Sequence, residues 1–473
     1  MQIVILIFIS LLIISSPLKA DPFWVFFERG QGWEPGDYVP TEMIKGLSGT
    51  GMRVRTVSRY FNAVSVNFDG DPHLLERCIG VMYVTPVRRF TIVPFFEVAK
   101  SVRQGVSDGN SGEHLLNYGI SYNQLQALKI PSLHDSGLIG AGVVIGVLDT
   151  GFNIEKTGCL RNIKITHKRN FITGSDNVRG DSHGGQVLAC LGGVSDGEYY
   201  GAAFGAEFLL ALTDDIYTET KADEDRWVAA VEWCDSLGAD IISSSVLYNF
   251  GFDNPEDDYA KEDMNGCTSL VARAAEIAVS RGIVVVNSAG NEGGNSWRII
   301  ATPADAEHVI AVGAVTNPVE GNPTVAWFSS RGPTADGRIK PDVMAPGVGV
   351  IIPVLGASGS YLTYNGTSFS APLITGLCAL LLEAYPDWTP SDIIAALKTS
   401  ARDLGDEGPD NDYGWGIPDG VLALEYTKVN VDWDNSGKDK LPGQGRLNHD
   451  VRTFMLNNPF PNPANAFINI SLT

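Results

Sequence analysis

Val143-Val-Ile-Gly-Val-Leu-Asp149-Thr-Gly151 reads as a short apolar strand that ends on an acid and turns on a glycine. A β-branched run of this length, closed by a Gly turn, is the pattern of a strand covered on both faces. Further along, similar runs recur at 208–212, 240–244, 283–287 and 309–315, and helical patterns lie at 183–191, 223–237 and 268–281. Strands alternating with helical segments imply parallel pairing through helical crossovers. Residues 113–428 are therefore expected to form a doubly wound, mostly parallel α/β sheet flanked by helices. In such sheets ligands gather at the carboxyl ends of the strands, where Asp149 stands.

Composition narrows the classes. The chain has 473 residues, long enough for roughly three domains of ~150 residues. A hydrophobic share of 44% with 19% charged residues is ordinary globular composition, so disorder is not the expectation. The formal charge of -21 disfavours phosphate backbones and anionic membranes as partners, because binding them relies on clustered Lys and Arg, and nucleic acid is excluded as an expected ligand. Six cysteines (Cys78, Cys159, Cys190, Cys234, Cys267, Cys378) are scattered without a CxxC pair, which removes a zinc site and leaves buried thiols or disulfides open.

Three other stretches carry chemistry-bearing residues. Asp181-Ser-His183-Gly-Gly-Gln opens a helical pattern on a histidine, and Val284-Val-Val-Asn-Ser-Ala-Gly-Asn291-Glu ends a strand in a small-residue loop with an amide. Asn365-Gly-Thr-Ser368-Phe-Ser-Ala-Pro372 leads into an apolar helical run to Leu382, seating a hydroxyl beside the free N–H groups of a helix start. Singly, each has a bland alternative: an Asp capping a turn, a structural histidine, an Asn in an Asx-turn. Together, acid, imidazole, amide and hydroxyl at strand ends and helix starts are what nucleophilic catalysis by serine requires.

The flanks have their own signatures. Residues 1–20 open with an apolar run from Ile3 to Ile14 that spans only about 18 Å at 1.5 Å per residue, short of the roughly 30 Å hydrocarbon core, which predicts a removable signal peptide and export. Residues 21–112 contain strand patterns at 23–27, 62–68 and 80–87 and a short helix at 72–78, predicting a small α/β domain, and Glu97 to Glu113 has the polar composition of a linker. Residues 429–473 lose helical periodicity.

The blocks Asp149-Thr-Gly, His183-Gly, Ser-Ala-Gly-Asn291, Phe328-Ser-Ser-Arg-Gly-Pro333, Lys340-Pro-Asp-Val-Met-Ala-Pro-Gly347 and Gly366-Thr-Ser368-Phe-Ser-Ala-Pro372 resemble the signature blocks of the subtilisin-like serine proteases, over about Tyr118 to Thr427. The order Asp, His, Ser is the subtilisin order, distinct from those of chymotrypsin and the α/β-hydrolases. The resemblance implies a secreted serine endopeptidase (peptidase S8) acting on protein or peptide substrates. Ser368 would be the nucleophile, His183 the general base and acid, and Asp149 the group that holds the imidazole. Asn291 would contribute to the oxyanion hole, while Ser245, Val246 and Leu247 would bind substrate as an added strand beside a pocket of Ala289, Gly290 and Glu292.

No cofactor is implied for catalysis. Structural calcium is common in the family but unassigned here: Asp432-Trp-Asp-Asn-Ser-Gly437 starts like a calcium loop yet has Gly443 at the closing position, and the acidic insert Phe252 to Asp263 reads as a solvated loop, a cation site or a wall favouring basic substrates. The small domain at 21–112 resembles the propeptide of exported subtilases, an inhibitor and folding aid released by autocleavage between about Pro94 and Tyr118. Residues 454–472 resemble the start of the C-terminal sorting module of the Bacteroidetes-type secretion machinery. Departures from the pattern are Gly185-Gln186 after the histidine and Val246-Leu247 on the substrate strand, where many members have Leu-Gly. Two other readings use the same residues: an inactive binding or adhesion module, and a peptide ligase.

Overall fold

The computed structural model describes residues 21–27, 39, 44, 47, 52–68, 72–78, 81–86, 98–102 and 114–426, apart from 155–157, 219, 318–320 and 358. The expectations for residues 1–20 and 429–473, the candidate calcium loop at 432–443 and the boundaries near 112 and 428 lie outside the described residues. The chain divides into two compact units, Met1–Arg88 and Arg89–Thr473.

In the first unit, β1 (Asp21–Phe27), β2 (Arg53–Ser58), β3 (Ala63–Phe68) and β4 (Val81–Pro86) form an antiparallel sheet of order β2-β3-β1-β4, with the single-turn helix α1 (His73–Glu76) between β3 and β4. Alternation puts Phe23, Val25 and Phe27 on one face with Val64, Val66, Phe68 and Leu75. Trp24 and Phe26 point the other way, cluster with Phe61 and are buried as well. The sequence patterns marked three of these strands. β2 has half-exposed valines at 54 and 57, so its apolar signal is diluted, as suits an edge strand.

The second unit is built on a seven-stranded parallel sheet of order β14-β13-β12-β11-β6-β10-β7. After β5 (Val98–Val102), the strands are β6 (Val144–Asp149), β7 (Lys164–Asn170), β10 (Glu207–Leu212), β11 (Ile241–Ser244), β12 (Val284–Ser288), β13 (Ile310–Val315) and β14 (Val343–Pro346). A small ribbon of β8 (Val194–Ser195) and β9 (Tyr199–Tyr200) lies between β7 and β10 in the chain. A separate antiparallel sheet joins β15 (Val350–Pro353), β16 (Tyr361–Tyr364) and β5. Thus part of the stretch from Glu97 to Glu113, linker-like by composition, is a strand.

Two short helices, α2 (Tyr122–Gln126) and α3 (Ile130–Asp135), precede the crossover helices α4 (His183–Gly192), α5 (Lys221–Ser236) and α6 (Leu270–Ser280), and α7 (Thr367–Ala384) and α8 (Pro390–Ser400) follow the last strand of the sheet. Adjacent residues of β11 show that both faces of the sheet are covered. Ser243 Oγ hydrogen-bonds Thr375 Oγ1 of α7 at 3.0 Å, whereas Ser244 Oγ, pointing the opposite way, accepts from Trp227 Nε1 of α5 at 3.1 Å. The expected doubly wound architecture is therefore present. β7 and β14 were not visible as strands in the sequence: β7 is the charged, mostly exposed edge Lys-Ile-Thr-His-Lys-Arg-Asn, and β14 is only four residues long.

α7 is apolar and long enough to cross a membrane by length and composition, but 89% of it is buried among the helices and strands of the sheet. It packs on β11, β12, β13 and β14 and on α4, and forms the centre of the main core with Val187, Leu188, Val286 and Val312. Among the described residues no disulfide forms; Cys159, Cys190, Cys234 and Cys378 are buried thiols, and burial pushes those of Cys159 and Cys190 up to about 12.

Candidate active site

Asp149 is the last residue of β6 and is fully buried. Its Oδ1 accepts from Thr150 N at 2.7 Å, from Thr150 Oγ1 at 3.1 Å and from His183 Nδ1 at 2.7 Å. A carboxylate only accepts, so the proton must lie on Nδ1, and Nε2 is left as the basic nitrogen of the neutral ring. The loop after β6 and the start of α4 press together without side chains between them. A Cβ on Gly184 would stand 2.5 Å from the Gly151 carbonyl oxygen and 2.7 Å from Asp149 Cβ, so only glycine allows His183 to reach Asp149. Burial of the imidazole disfavours its charged form, but the charge and hydrogen bond of Asp149, with Asp181 adding, outweigh this and hold the His183 pKa above its usual value.

Ser368 is the second residue of α7, 8% exposed, and the ring of the next residue, Phe369, lies 5.8 Å from the His183 ring. Its carbonyl would ordinarily accept from the N–H four residues on, but that residue is Pro372, which has none. The vacancy is met from another element: Ser245 Oγ, just beyond β11, donates to the Ser368 carbonyl at 3.1 Å. The sequence suggested Ser245 as a substrate contact; in the structure its hydroxyl bonds the Ser368 backbone.

Asn291 lies in the loop after β12. Its Oδ1 accepts from Thr367 N and from Thr367 Oγ1, each at 3.0 Å. A backbone N–H can only donate, which fixes the amide so that its oxygen faces α7 and its NH₂ turns away from Thr367. The amide thus satisfies one of the helix-start N–H groups, and the N–H of Ser368 is the next in that set. An amide NH₂ and a helix-start N–H beside a serine are the donors that stabilise a developing oxyanion.

The other residues assigned to substrate fall into two groups. Val246 is anchored, its carbonyl accepting from Asn287 Nδ2 at 3.2 Å and Ser244 Oγ at 3.4 Å, and Ala289 is buried in a core cluster with Ile300, Ala304 and Ala311. Leu247 and Glu292 are partly exposed, with the buried Gly290 beside the leucine. Gly290 has φ +110°, and a Cβ there would meet Ser330 Oγ at 2.7 Å and Leu247 Cδ2 at 3.4 Å, so the leucine side chain lies against the glycine. Glu292 is half-buried, which raises its carboxyl pKa, and is paired with Asn295.

Sequence reasoning gave no role to Thr150, Thr367 or Ser330. Ser330 clamps the Asn291 loop, donating its N–H to the Gly290 carbonyl at 2.9 Å and accepting from Glu292 N at 3.1 Å through Oγ. Ser330 lies within the Phe328-to-Pro333 block, which marked the segment without its task. Among the described residues no group of three or more His, Cys, Asp or Glu side chains is arranged to hold a metal. In the acidic insert, Asp258 accepts from Gly251 N and Phe252 N, and Asp263 caps Ala260 N, so these carboxylates close turns.

A sequence profile described as the Subtilase family, Peptidase S8, matches residues 140–416. The chain is 36% identical over 300 residues to the serine protease AprX of Bacillus subtilis, covering 59% of this chain and 65% of AprX. It is 31% identical over 292 residues to the subtilisin of Bacillus pumilus, covering 61% of this chain and 92% of that protein. Among solved structures, fervidolysin from Fervidobacterium pennivorans, a keratinolytic enzyme related to subtilisin, superposes with a TM-score of 0.63 at 22% identity, over 87% of this chain and 62% of fervidolysin. The chain thus spans less than two thirds of AprX and of fervidolysin.

Proposed function

The chain belongs to the subtilase family, and from that premise we propose that it is a serine endopeptidase that hydrolyses peptide bonds in proteins. The observation that carries the reading is the 2.7 Å bond from His183 Nδ1 to buried Asp149, which leaves Nε2 basic at a site shared with the helix-start Ser368. Ser368 Oγ attacks the substrate carbonyl while His183 takes its proton. The Asn291 amide and the Ser368 N–H carry the oxyanion, an effect of about 2.7–4 kcal/mol where such an asparagine is removed, subtilisin being the source of that figure. His183 then returns the proton to the leaving amine, and water releases the acyl half by the same route.

Leu247 against Gly290 supports a first pocket narrower than a glycine at that position would leave. The apolar run from Ile3 to Ile14 supports export, and the antiparallel unit of residues 21–86 supports a zymogen whose amino-terminal part is an inhibitory propeptide; residues 429–473 are read as the link to the secretion machinery. A fluorophosphonate probe tests the core of the reading, since only an activated serine reacts with it. Wild type is expected to label and to cleave casein, and Ser368→Ala to do neither; cleavage retained in Ser368→Ala would sink the mechanism.

A further inference from the structure

The segments that lead into β13 and β14 enclose, together with α8, a cavity of about 350 Å³. His308 precedes β13, Arg338, Lys340 and Asp342 precede β14, and Lys398 comes from α8. The strands of the sheet are parallel, and Asp149 and Asn291 stand at carboxyl ends, so the cavity lies at the opposite end of the sheet from the candidate active site. Four basic side chains, His308, Arg338, Lys340 and Lys398, line it in a chain of formal charge -21. Asp342 is their hub. Its Oδ2 accepts from Lys340 Nζ at 2.6 Å and from Ala311 N at 2.8 Å, and its Oδ1 from Lys398 Nζ at 2.7 Å. Lys340, only 2% exposed, gives a second bond to the Val309 carbonyl at 2.6 Å. One carboxylate thus serves two ammonium groups, which leaves a positive charge in excess. Lys398 Nζ also sits 3.8 Å from the centre of the Trp415 ring.

Inside the rim the carboxylates are spent and the donors are not. Asp392 accepts from Thr389 N at 2.8 Å and Thr389 Oγ1 at 2.6 Å, closing the first turn of α8. His308 is matched by Glu276 at 2.7 Å. Arg338 donates Nε and Nη2 to Asp336 at 2.7 and 2.9 Å, and its Nη1 is buried without a partner. Glu307 is exposed, where water and salt screen it. A guanidinium and an ammonium only donate, and Lys398 spends one of its N–H groups on Asp342. A negatively charged group that only accepts would complete both. The remaining wall, with Ile339, Ile394, Ala395 and the rings of Trp415 and Tyr426, suits an organic body better than a bare inorganic ion. We propose that this cavity binds a small organic carboxylate with an aromatic or branched apolar body, its oxygens taken by Arg338 and Lys398 and its body lying against Trp415 and Ile394. A free aromatic acid and the last residue of a peptide share that chemistry. The inference stands on these residues and is independent of the protease reading.

The test is isothermal titration of the full chain as Ser368→Ala, which keeps self-digestion out of the measurement, with N-acetylphenylalanine and with its carboxamide. A Kd of about 1 mM or below is expected for the acid, and one at least tenfold higher for the amide, which lacks the charge. Two further variants place the ligand. Lys398→Met removes one of the two proposed donors, and Ala395→Phe fills the cavity while leaving the ion pairs in place; each should weaken the acid at least tenfold, with melting curves showing that the variants are folded. Ala395→Phe keeps the test decisive where the loss of Lys398 from Asp342 disturbs the fold. The source is read from 3-phenylpropionate against a hexapeptide ending in phenylalanine. A peptide bound at least tenfold more tightly identifies chain ends as the ligand, and any smaller difference a free acid. No binding of the acid up to about 10 mM, a Kd for the amide within twofold of that for the acid, or a Kd unchanged in folded Ala395→Phe overturns the proposal.

Discussion

Replacing Ser245 by alanine removes one hydroxyl, and the structure says whose it is. The Ser368 carbonyl has no helical donor because Pro372 lacks an N–H, and Ser245 Oγ supplies the bond at 3.1 Å from a position only 7% exposed. Leaving a buried acceptor unsatisfied costs about 1–3 kcal/mol. If that cost falls wholly on the placement of the nucleophile, kcat drops by about 5- to 150-fold, at about 1.36 kcal/mol per tenfold. KM should hardly change, because the lost contact is with the enzyme's own backbone and not with substrate. Steady-state kinetics on a chromogenic peptide anilide would show this split, and melting of Ser245→Ala in a Ser368→Ala background, where self-digestion is absent, would report the stability share. The reasoning makes a sharper demand: Pro372→Ala restores an N–H four residues beyond Ser368, so Ser245→Ala/Pro372→Ala should recover much of the lost kcat. A single variant within twofold of wild type, a change confined to KM, or a double variant no better than the single would refute it.

Leu247→Gly should open the first pocket, raising kcat/KM for substrates with a large aromatic residue before the cut by roughly tenfold or more relative to an alanine substrate, measured with matched anilides. Because Asp149 holds His183 above its ordinary pKa of 6.5, and the base works only when neutral, the acid limb of the kcat/KM profile should fall above pH 6.5; a limb below pH 6 would contradict this. Asp214 accepts from Tyr248 OH at 2.9 Å, and burial, with Asp223 adding, pushes its pKa up to about 7 from 3.8. A raised carboxyl pKa means that folding favours the protonated form, so stability declines as pH rises from about 4 through about 7. Asp214→Asn should therefore raise the melting temperature at pH 8 more than at pH 5; equal shifts at both would sink the assignment.

What the sequence made legible follows from where its signals were strong. The central strands β6, β11 and β12 are buried on both faces and each opens on an apolar β-branched run, and Asp149, His183, Asn291 and Ser368 stand where such strands end or helices begin. β7 escaped notice because an exposed edge strand with Lys, His and Arg has no apolar period to detect. β5 escaped because its pairing partner lies far along the chain, and such pairing leaves no local mark. Thr367 and Ser330 act through single hydroxyl and backbone bonds, which short polar residues make in many loops, so their identity alone could not reveal them. The packing of Ala289 against Ile300 and Ala304 was not legible, because those residues lie outside the motif in which it stands.

The order of strands has a consequence for when this protein becomes able to act. β6, which carries Asp149, is early in the second unit yet sits inside the sheet, with β10 and β7 on one side and β11 through β14 on the other. Ser368 arrives on α7, after every strand of that sheet has been made. A growing chain thus holds Asp149 and His183 long before it holds Ser368, and the helix that brings the serine is also the one that fills the core. On the proposed protease reading, completion of the fold and assembly of the catalytic set coincide, and a chain that stops before Ser368 lacks the proposed nucleophile.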